Sequence, residues 1–363
     1  MSLRENIVSF MEEKVYKPMS KEELAKEFGL KGKEIKAFYK VLDDMEKEGT
    51  IIKTRNELYG LVEKMNLVVG RIEGNGKGFG FLIPEDKTRD DIYIPVEEMN
   101  GALDGDKVVV RLKTGSVFGK KEEGEVIRII ERANETIVGT FESSKNFGFV
   151  IPDNTKISYD IFIPKADIKG AKTNQKVVVQ ITQWPEKRRN PEGKIIEILG
   201  FVGEKGTDIL SIIKQYKLLE EFPKKVINQA EMLEEKISEE EIEKRVDLRN
   251  LNTFTIDGPD AKDLDDAVSI EVLENGNYNL GVHIADVSHY VRERTALDKE
   301  AYKRGNSVYL IDRVIPMLPK ELSNGICSLN PKVNRLAMSV HVQLDEYGSI
   351  IEYEFFESVI QSK

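Results

Sequence analysis

The chain has 363 residues, 40% hydrophobic and 33% charged, a balance that predicts several folded domains and excludes a disordered polymer. No run of about 18 apolar residues occurs, excluding a membrane-spanning helix, and the N-terminus lacks the basic and apolar blocks of a secretion signal, so a cytoplasmic protein is expected. One cysteine, Cys327, rules out an internal disulfide framework and a cysteine-built zinc site, and with three histidines any chemistry must rest on carboxylates, amines or hydroxyls.

The net charge of −10 lies in one region. Residues 1–65 carry 13 basic and 13 acidic side chains and residues 66–200 carry 21 of each, so residues 201–363 hold 20 basic against 30 acidic. Two neutral modules precede an acidic one. An acidic segment is either a solvated surface or a cation site, and the positions of its carboxylates decide between them.

In chain order, residues 1–65 predict a small helical domain. Ser20 and Glu23 form a capping box before a helix from Lys21 to Phe28, which Gly29 stops. A second helix is expected from Lys33 to Glu48, with Ile35, Phe38, Tyr39, Leu42 and Met45 on one face. Gly49 closes it, and Ile51–Lys53 with Leu58–Leu61 reads as a hairpin, giving the order of a winged helix. A DNA-binding regulator is disfavoured, because this segment has no net positive charge.

An internal repeat follows. Val69-Gly70-Arg71-Ile72, Phe79-Gly80-Phe81-Leu82-Ile83-Pro84, Asp91-Ile92-Tyr93-Ile94-Pro95 and Lys107-Val108-Val109-Val110 recur at offsets of 69, 68, 69 and 69 residues. The spacing predicts two tandem β-barrels, at 66–134 and 135–203. Strand alternation places Phe79 and Phe81 on one face with Tyr93 on the next strand, and Phe147, Phe149 and Phe162 repeat the pattern. Lys77 and Lys145 lie beside these aromatics. Stacking rings with a nearby cation suit single-stranded nucleic acid, since every base offers a π-face; the competing expectation is that the rings fill the barrel interiors. Glycine between the aromatics is expected to leave room for a flat base. The second repeat ends in a basic loop or hairpin, Gln183 to Gly193, holding the only tryptophan and the cations Lys187, Arg188 and Arg189. Residues 204–250 predict a helical linker, with the Glu/Lys-rich run from Ala230 to Lys244 as a solvated helix.

The acidic signal concentrates in Thr255-Ile256-Asp257-Gly258-Pro259-Asp260-Ala261-Lys262-Asp263-Leu264-Asp265-Asp266, between two apolar strand segments. Gly258-Pro259 forces a turn, so carboxylates are expected to converge from both sides. Carboxylates this close raise one another's pKa unless a cation neutralises them, and oxygen-only donors favour Mg²⁺, with Mn²⁺ as the alternative. The order differs from a calcium loop of the D-x-D-x-D-G type. His283, within an apolar Val-His-Ile-Ala strand, reads as structural rather than as a base.

The repeats, with Gly-Lys-Gly-Phe-Gly-Phe-Leu-Ile-Pro and Asp-Ile-Tyr-Ile-Pro, resemble the cold-shock domain, an OB-fold RNA binder. Asp257, Asp263, Asp265 and Asp266 share the D-x5-D-x-D-D spacing of the ribonuclease II and ribonuclease R (RNB) family. The resemblance extends through Gly281-Val282-His283-Ile284-Ala285-Asp286-Val287-Ser288, Ser307-Val308-Tyr309, Ile315-Pro316-Met317-Leu318-Pro319 and Cys327-Ser328-Leu329. It implies a multidomain α+β chain: a winged helix, two OB barrels, a linker, and the start of an RNB catalytic domain at 251–363. It further implies processive 3′-to-5′ hydrolysis of single-stranded RNA to nucleoside 5′-monophosphates, with structured RNA bearing a 3′ overhang as a further substrate. Asp257 and Asp266 would ligate Mg²⁺, Asp263 and Asp265 would complete the site through water, a second ion or the terminal ribose, and Tyr309 would stack on the 3′-terminal base. A monomer is expected. The family's catalytic domain continues past Phe355–Lys363 and supplies a transition-state arginine, so a feeble or inactive polypeptide is expected. The alternative is a non-catalytic RNA-binding protein using the same scaffold.

Overall fold

The computed structural model describes residues 2–13, 16–54, 56–118, 121–186 and 189–363, with 114–118 and 121 in backbone only. They divide into two compact units, Met1–Lys217 and Leu218–Lys363. Lys187 and Arg188 of the expected basic loop lie outside the described residues.

The first unit opens with a helix not anticipated above, α1 (Leu3–Glu12), set by a capping box in which Ser2 and Glu5 satisfy each other's backbone N–H groups. The same device at Ser20 and Glu23 starts α2 (Lys21–Glu27). The third helix, α3 (Lys33–Glu48), ends where Gly49 adopts φ 84°, a left-handed conformation that glycine accepts without steric cost. Ile7, Met11, Leu24, Phe38, Leu42 and Met45 are buried against Ile51 and Tyr59 of the hairpin β1 (Ile51–Lys53) and β2 (Tyr59–Leu61).

Strands β3 (Leu67–Gly74), β4 (Gly80–Pro84), β5 (Ile92–Ile94), β6 (Lys107–Phe118) and β7 (Lys121–Glu131) close into a barrel in the order β3-β4-β5-β7-β6. Strands β8 (Thr136–Ser143), β9 (Phe147–Pro152), β10 (Ile161–Pro164), β11 (Gln175–Gln183) and β12 (Glu192–Phe201) repeat that closure. In each, the third strand meets the fifth in parallel, at Tyr93↔Glu123 and Phe162↔Glu192, as in an OB barrel. Aliphatic side chains fill the interiors: Ile72, Leu82, Ile92, Ile94, Val108 and Val110 in the first, with Val150, Ile161, Ile163 and Val177 around Phe141 in the second. The barrels touch through Asp104, which accepts from the Gly74 N–H (3.0 Å) and from Nδ2 of Asn154 (3.1 Å). The lone tryptophan, expected in a solvated loop, instead lies half-buried beneath the Arg132 guanidinium, 4.0 Å from its ring centroid. Helix α4 (Thr207–Gln215) packs Ile209 and Ile213 onto the second barrel.

The second unit begins with α5 (Lys224–Glu231) and α6 (Glu239–Glu243). The Glu/Lys run from Ala230 to Lys244 is therefore not one helix. Its start is the buried end of α5, and Ser238 caps a separate turn. A mixed sheet is ordered β13-β20-β19-β16-β15-β14, from β13 (Val246–Asp247), β14 (Thr253–Phe254), β15 (Asp266–Val272), β16 (Tyr278–Ala285), β19 (Asn334–Leu344) and β20 (Ile350–Gln361). Between β16 and β19 lie α7 (Val287–Tyr290), α8 (Ala296–Arg304), the hairpin β17 (Val308–Tyr309) with β18 (Val314–Ile315), and a π-type turn at Glu321–Ile326. Val226, Leu297, Leu318, Leu322 and Cys327 form the core beneath them.

Candidate active site

The acidic loop connects β14 to β15, whose antiparallel pairing sets Phe254 opposite Val268. Its conformation is held at the backbone. The Ser328 hydroxyl donates to the Lys262 carbonyl (2.9 Å) and accepts from the Leu264 N–H (3.1 Å). The Leu329 N–H donates to the Leu264 carbonyl (2.9 Å), and the Ala285 N–H donates to the Asp265 carbonyl (2.9 Å). Leu264 packs inward near Ala267, Ala285 and Leu329, which leaves Asp263 and Asp265 to project from either side of an anchored residue.

The carboxylates interact electrostatically about Asp265. Desolvation by the surrounding protein, followed by repulsion from Asp263, Asp266 and Asp257, raises its pKa above the ordinary value. Tyr309, 64% exposed, donates its hydroxyl hydrogen to Oδ2 of Asp263. That bond is the main cause of a phenol pKa pushed up to about 12. The expected convergence is only partial. Among the described residues no three His, Cys, Asp or Glu side chains gather closely enough to enclose an ion. Leu264, between Asp263 and Asp265, is drawn into the core with Ala267, Ala285 and Leu329, so the loop follows its backbone bonds to Ser328 and Leu329 rather than closing around an ion. The donor chemistry still fits a hard divalent cation, since Mg²⁺ is commonly held by one or two carboxylates with water and phosphate oxygens completing the shell.

His283 is fully buried, 3.0 Å from Ser269 Oγ and 2.7 Å from Ser339 Oγ. Burial, then His341, lowers its pKa to about 4, so it is a neutral structural group.

In the first unit the aromatic residues form two platforms on the outer barrel faces rather than filling the interiors. Ring centroids of Phe79, Phe81 and Tyr93 lie 5.6–5.9 Å apart, and those of Phe147, Phe149 and Phe162 lie 5.5–5.7 Å apart. Phe81 opposes Tyr93 and Phe149 opposes Phe162 across adjacent strands. All six rings are half-buried. Lys77 and Lys145 are exposed in the β3–β4 and β8–β9 turns that lead into the platforms. The glycines between the aromatics have a different role from the one expected. Gly80 and Gly148 are buried on the opposite strand face, and a Cβ on Gly148 would stand 2.2 Å from the Phe141 ring. They make room for the core, not for a base.

Two groups have no local pattern that marks them. Ser328 lies in Cys327-Ser328-Leu329, a motif with no chemical signal of its own in the sequence. Arg245 donates to Glu241 (2.8 Å) and to Asp286 (2.7 Å), a pair whose side chains are 2% and 5% exposed. Its only linear signal was a lone arginine after a polar helix.

Three family models match in the order of the described modules: the ribonuclease B OB domain at 70–129, the cold shock domain at 149–223 and the RNB domain at 245–363. With the D-x5-D-x-D-D loop in place, the chain belongs to the RNB family. Within it, the chain is similar to ribonuclease R of Thermotoga maritima, 46% identical over 96% of this chain and 49% of that protein. It is also similar to ribonuclease R 1 of Lactococcus lactis, 41% identical over 100% of this chain and 46% of that protein. The solved Mycoplasma genitalium RNase R in complex with ribose-methylated single-stranded RNA superposes with a TM-score of 0.74 at 29% identity, covering 82% of this chain and 47% of that one. The chain thus spans about half the length of the curated relatives it matches.

Proposed function

We propose that the chain belongs to a 3′-to-5′ exoribonuclease of the ribonuclease R type, acting processively on single-stranded RNA and releasing nucleoside 5′-monophosphates. The observation that carries this reading is the bond from Tyr309 to Asp263, which joins an exposed aromatic ring to the carboxylate cluster around Asp265. A terminal base stacked on Tyr309 has its scissile phosphate close to those carboxylates. Asp257 and Asp266 would hold Mg²⁺, or Mn²⁺ in its place. The ion would supply phosphate charge neutralisation and a more acidic bound water. Asp263 and Asp265 would orient water and the terminal ribose. The platforms at Phe79, Phe81, Tyr93 and at Phe147, Phe149, Phe162, with Lys77 and Lys145, would bind the strand by stacking and phosphate contact, including the single-stranded overhang of a structured RNA. We read α1–α3 and the β1–β2 hairpin as a winged helix. A monomer in the reducing cytoplasm suits Cys327, whose thiol is buried with its pKa pushed up to about 12.

The second reading, a non-catalytic RNA-binding protein, is favoured by the open carboxylate arrangement among the described residues. The two separate when 5′-labelled single-stranded RNA is incubated with Mg²⁺ and either wild type or Asp265→Asn. A shortening ladder that needs both Mg²⁺ and Asp265 supports the exonuclease. Retained RNA with no ladder from the wild type supports the binding protein, and a ladder that survives the substitution overturns the assignment of Asp265.

A further inference from the structure

Ser328 is fully buried, between Cys327 and Leu329, and its hydroxyl bonds to the acidic loop 64 to 66 residues away in the chain. A serine hydroxyl has one hydrogen to give and lone pairs to receive. Here the hydrogen goes to the Lys262 carbonyl and a lone pair takes the Leu264 N–H, so the two backbone atoms flanking Asp263 are gripped by one oxygen. The adjacent Leu329 N–H holds the Leu264 carbonyl, on the approach to Asp265. The brace is itself fixed. Arg335 Nε donates to the Ser328 carbonyl (2.8 Å), its Nη2 donates to the Gly325 carbonyl (3.1 Å), and Ser362 Oγ donates to the Leu329 carbonyl (2.8 Å). Arg335 is only 4% exposed.

We infer that Ser328 is a positioning residue for the carboxylates of Asp263 and Asp265, setting their direction through Leu264 without touching substrate. The inference rests on the reading of this loop as a metal and phosphate site. A group that orients ligands at one remove typically changes metal affinity about 10–100-fold when lost. An alanine at 328 leaves the Lys262 carbonyl and the Leu264 N–H without partners, and the loop gains freedom at the residue between the two aspartates.

The test uses the full chain as wild type, Ser328→Ala and Ser328→Thr, with Mn²⁺ binding followed by electron paramagnetic resonance and backbone exchange at Leu264 followed by hydrogen–deuterium exchange. Ser328→Ala is expected to weaken Mn²⁺ at least about tenfold and to speed Leu264 exchange by about tenfold or more. Affinity for single-stranded RNA in EDTA should hold, and threonine, which keeps the hydroxyl, should restore both losses. If the alanine variant does not fold, Ser328→Cys replaces it, because a thiol of similar size is a poor hydrogen-bond partner. Unchanged Mn²⁺ affinity and Leu264 protection in the folded variant overturn the inference alone. Failure of the wild type to bind Mn²⁺ overturns the metal-site reading beneath it, and the inference with it.

Discussion

The hydroxyl of Tyr309 donates to the carboxylate of Asp263, linking the β17–β18 hairpin to the loop before β15. Tyr309 therefore has two separable parts, a ring that can stack and a hydroxyl that restrains an aspartate. Tyr309→Phe should leave RNA affinity within about twofold, whereas Tyr309→Ala should lose about 1–3 kcal/mol, the usual worth of one stacked base. Fluorescence anisotropy with a labelled oligonucleotide in EDTA reads both. Equal losses in the two variants would transfer the role from the ring to the hydroxyl. Asp263→Asn should bring the phenol pKa down from about 12 towards its ordinary value, seen as an earlier ring-shift titration by NMR.

The platforms and the glycines behind them give opposite expectations on the same strand. Phe149→Ala should weaken RNA binding by about 1–3 kcal/mol and lower stability little, because the ring is on the outer face. Gly148→Ala should do the reverse, destabilising the second barrel by about 1–3 kcal/mol as a methyl group meets the Phe141 ring. Thermal melts and binding isotherms on both variants check the pair; loss of binding without loss of stability in Gly148→Ala would reverse the inside–outside assignment.

His283 makes the second unit acid-sensitive. Its folded pKa, about 4, lies below the 6.5 of a free histidine, so the unfolded chain takes up the proton first. The stability it contributes is complete above pH 6.5, declines as pH falls, and levels off near pH 4, for a total of about 3 kcal/mol. Urea unfolding of the full chain between pH 4 and pH 7.5 should show this slope, and NMR should place the His283 ring titration near 4. A ring that titrates at 6.5 would contradict it.

Arg245 and Asp286 form a buried ion pair, and removing one member strands the other. Arg245→Ala should cost the second unit about 3–5 kcal/mol. Adding Asp286→Asn should recover part of that loss by removing the orphaned charge. A calorimetric scan that leaves the second unit's transition in place for Arg245→Ala would disprove the pair's structural weight.

What was readable in the sequence was whatever repeats or alternates. The 69-residue offset exposed the tandem barrels because two copies of one strand pattern cannot arise from composition, and Ser20 with Glu23 marked a helix start because capping is local. Ser2 and Glu5 carried the same capping signal for α1, with too short an apolar pattern behind it to be recognised. The facing of Phe79 and Phe81 was legible as a shared side, but inside and outside were distinguishable only once Leu82 and Ile94 were seen to fill the barrel. Ser328 and Arg245 stayed hidden for a different reason. Their partners lie 64 and 41 residues away, and no local periodicity encodes a hydrogen bond at such separation.

Hydrogen bonds between Ser269, His283, Ser339 and Ser358 run across four adjacent strands, and Gly281 makes room for them, since a Cβ there would stand 2.2 Å from Ser269 Oγ. A slip of one residue between strands turns apolar side chains to the wrong face and is excluded by the hydrophobic effect. A slip of two residues keeps every face correct, and apolar burial alone barely opposes it. The polar row does oppose it, because such a shift leaves a buried imidazole and three hydroxyls without partners. Asp266 is the first residue of β15, so the row that fixes this alignment also sets where along the sheet that carboxylate stands. The precision of the acidic loop is thus inherited in part from a line of buried polar groups further along the sheet.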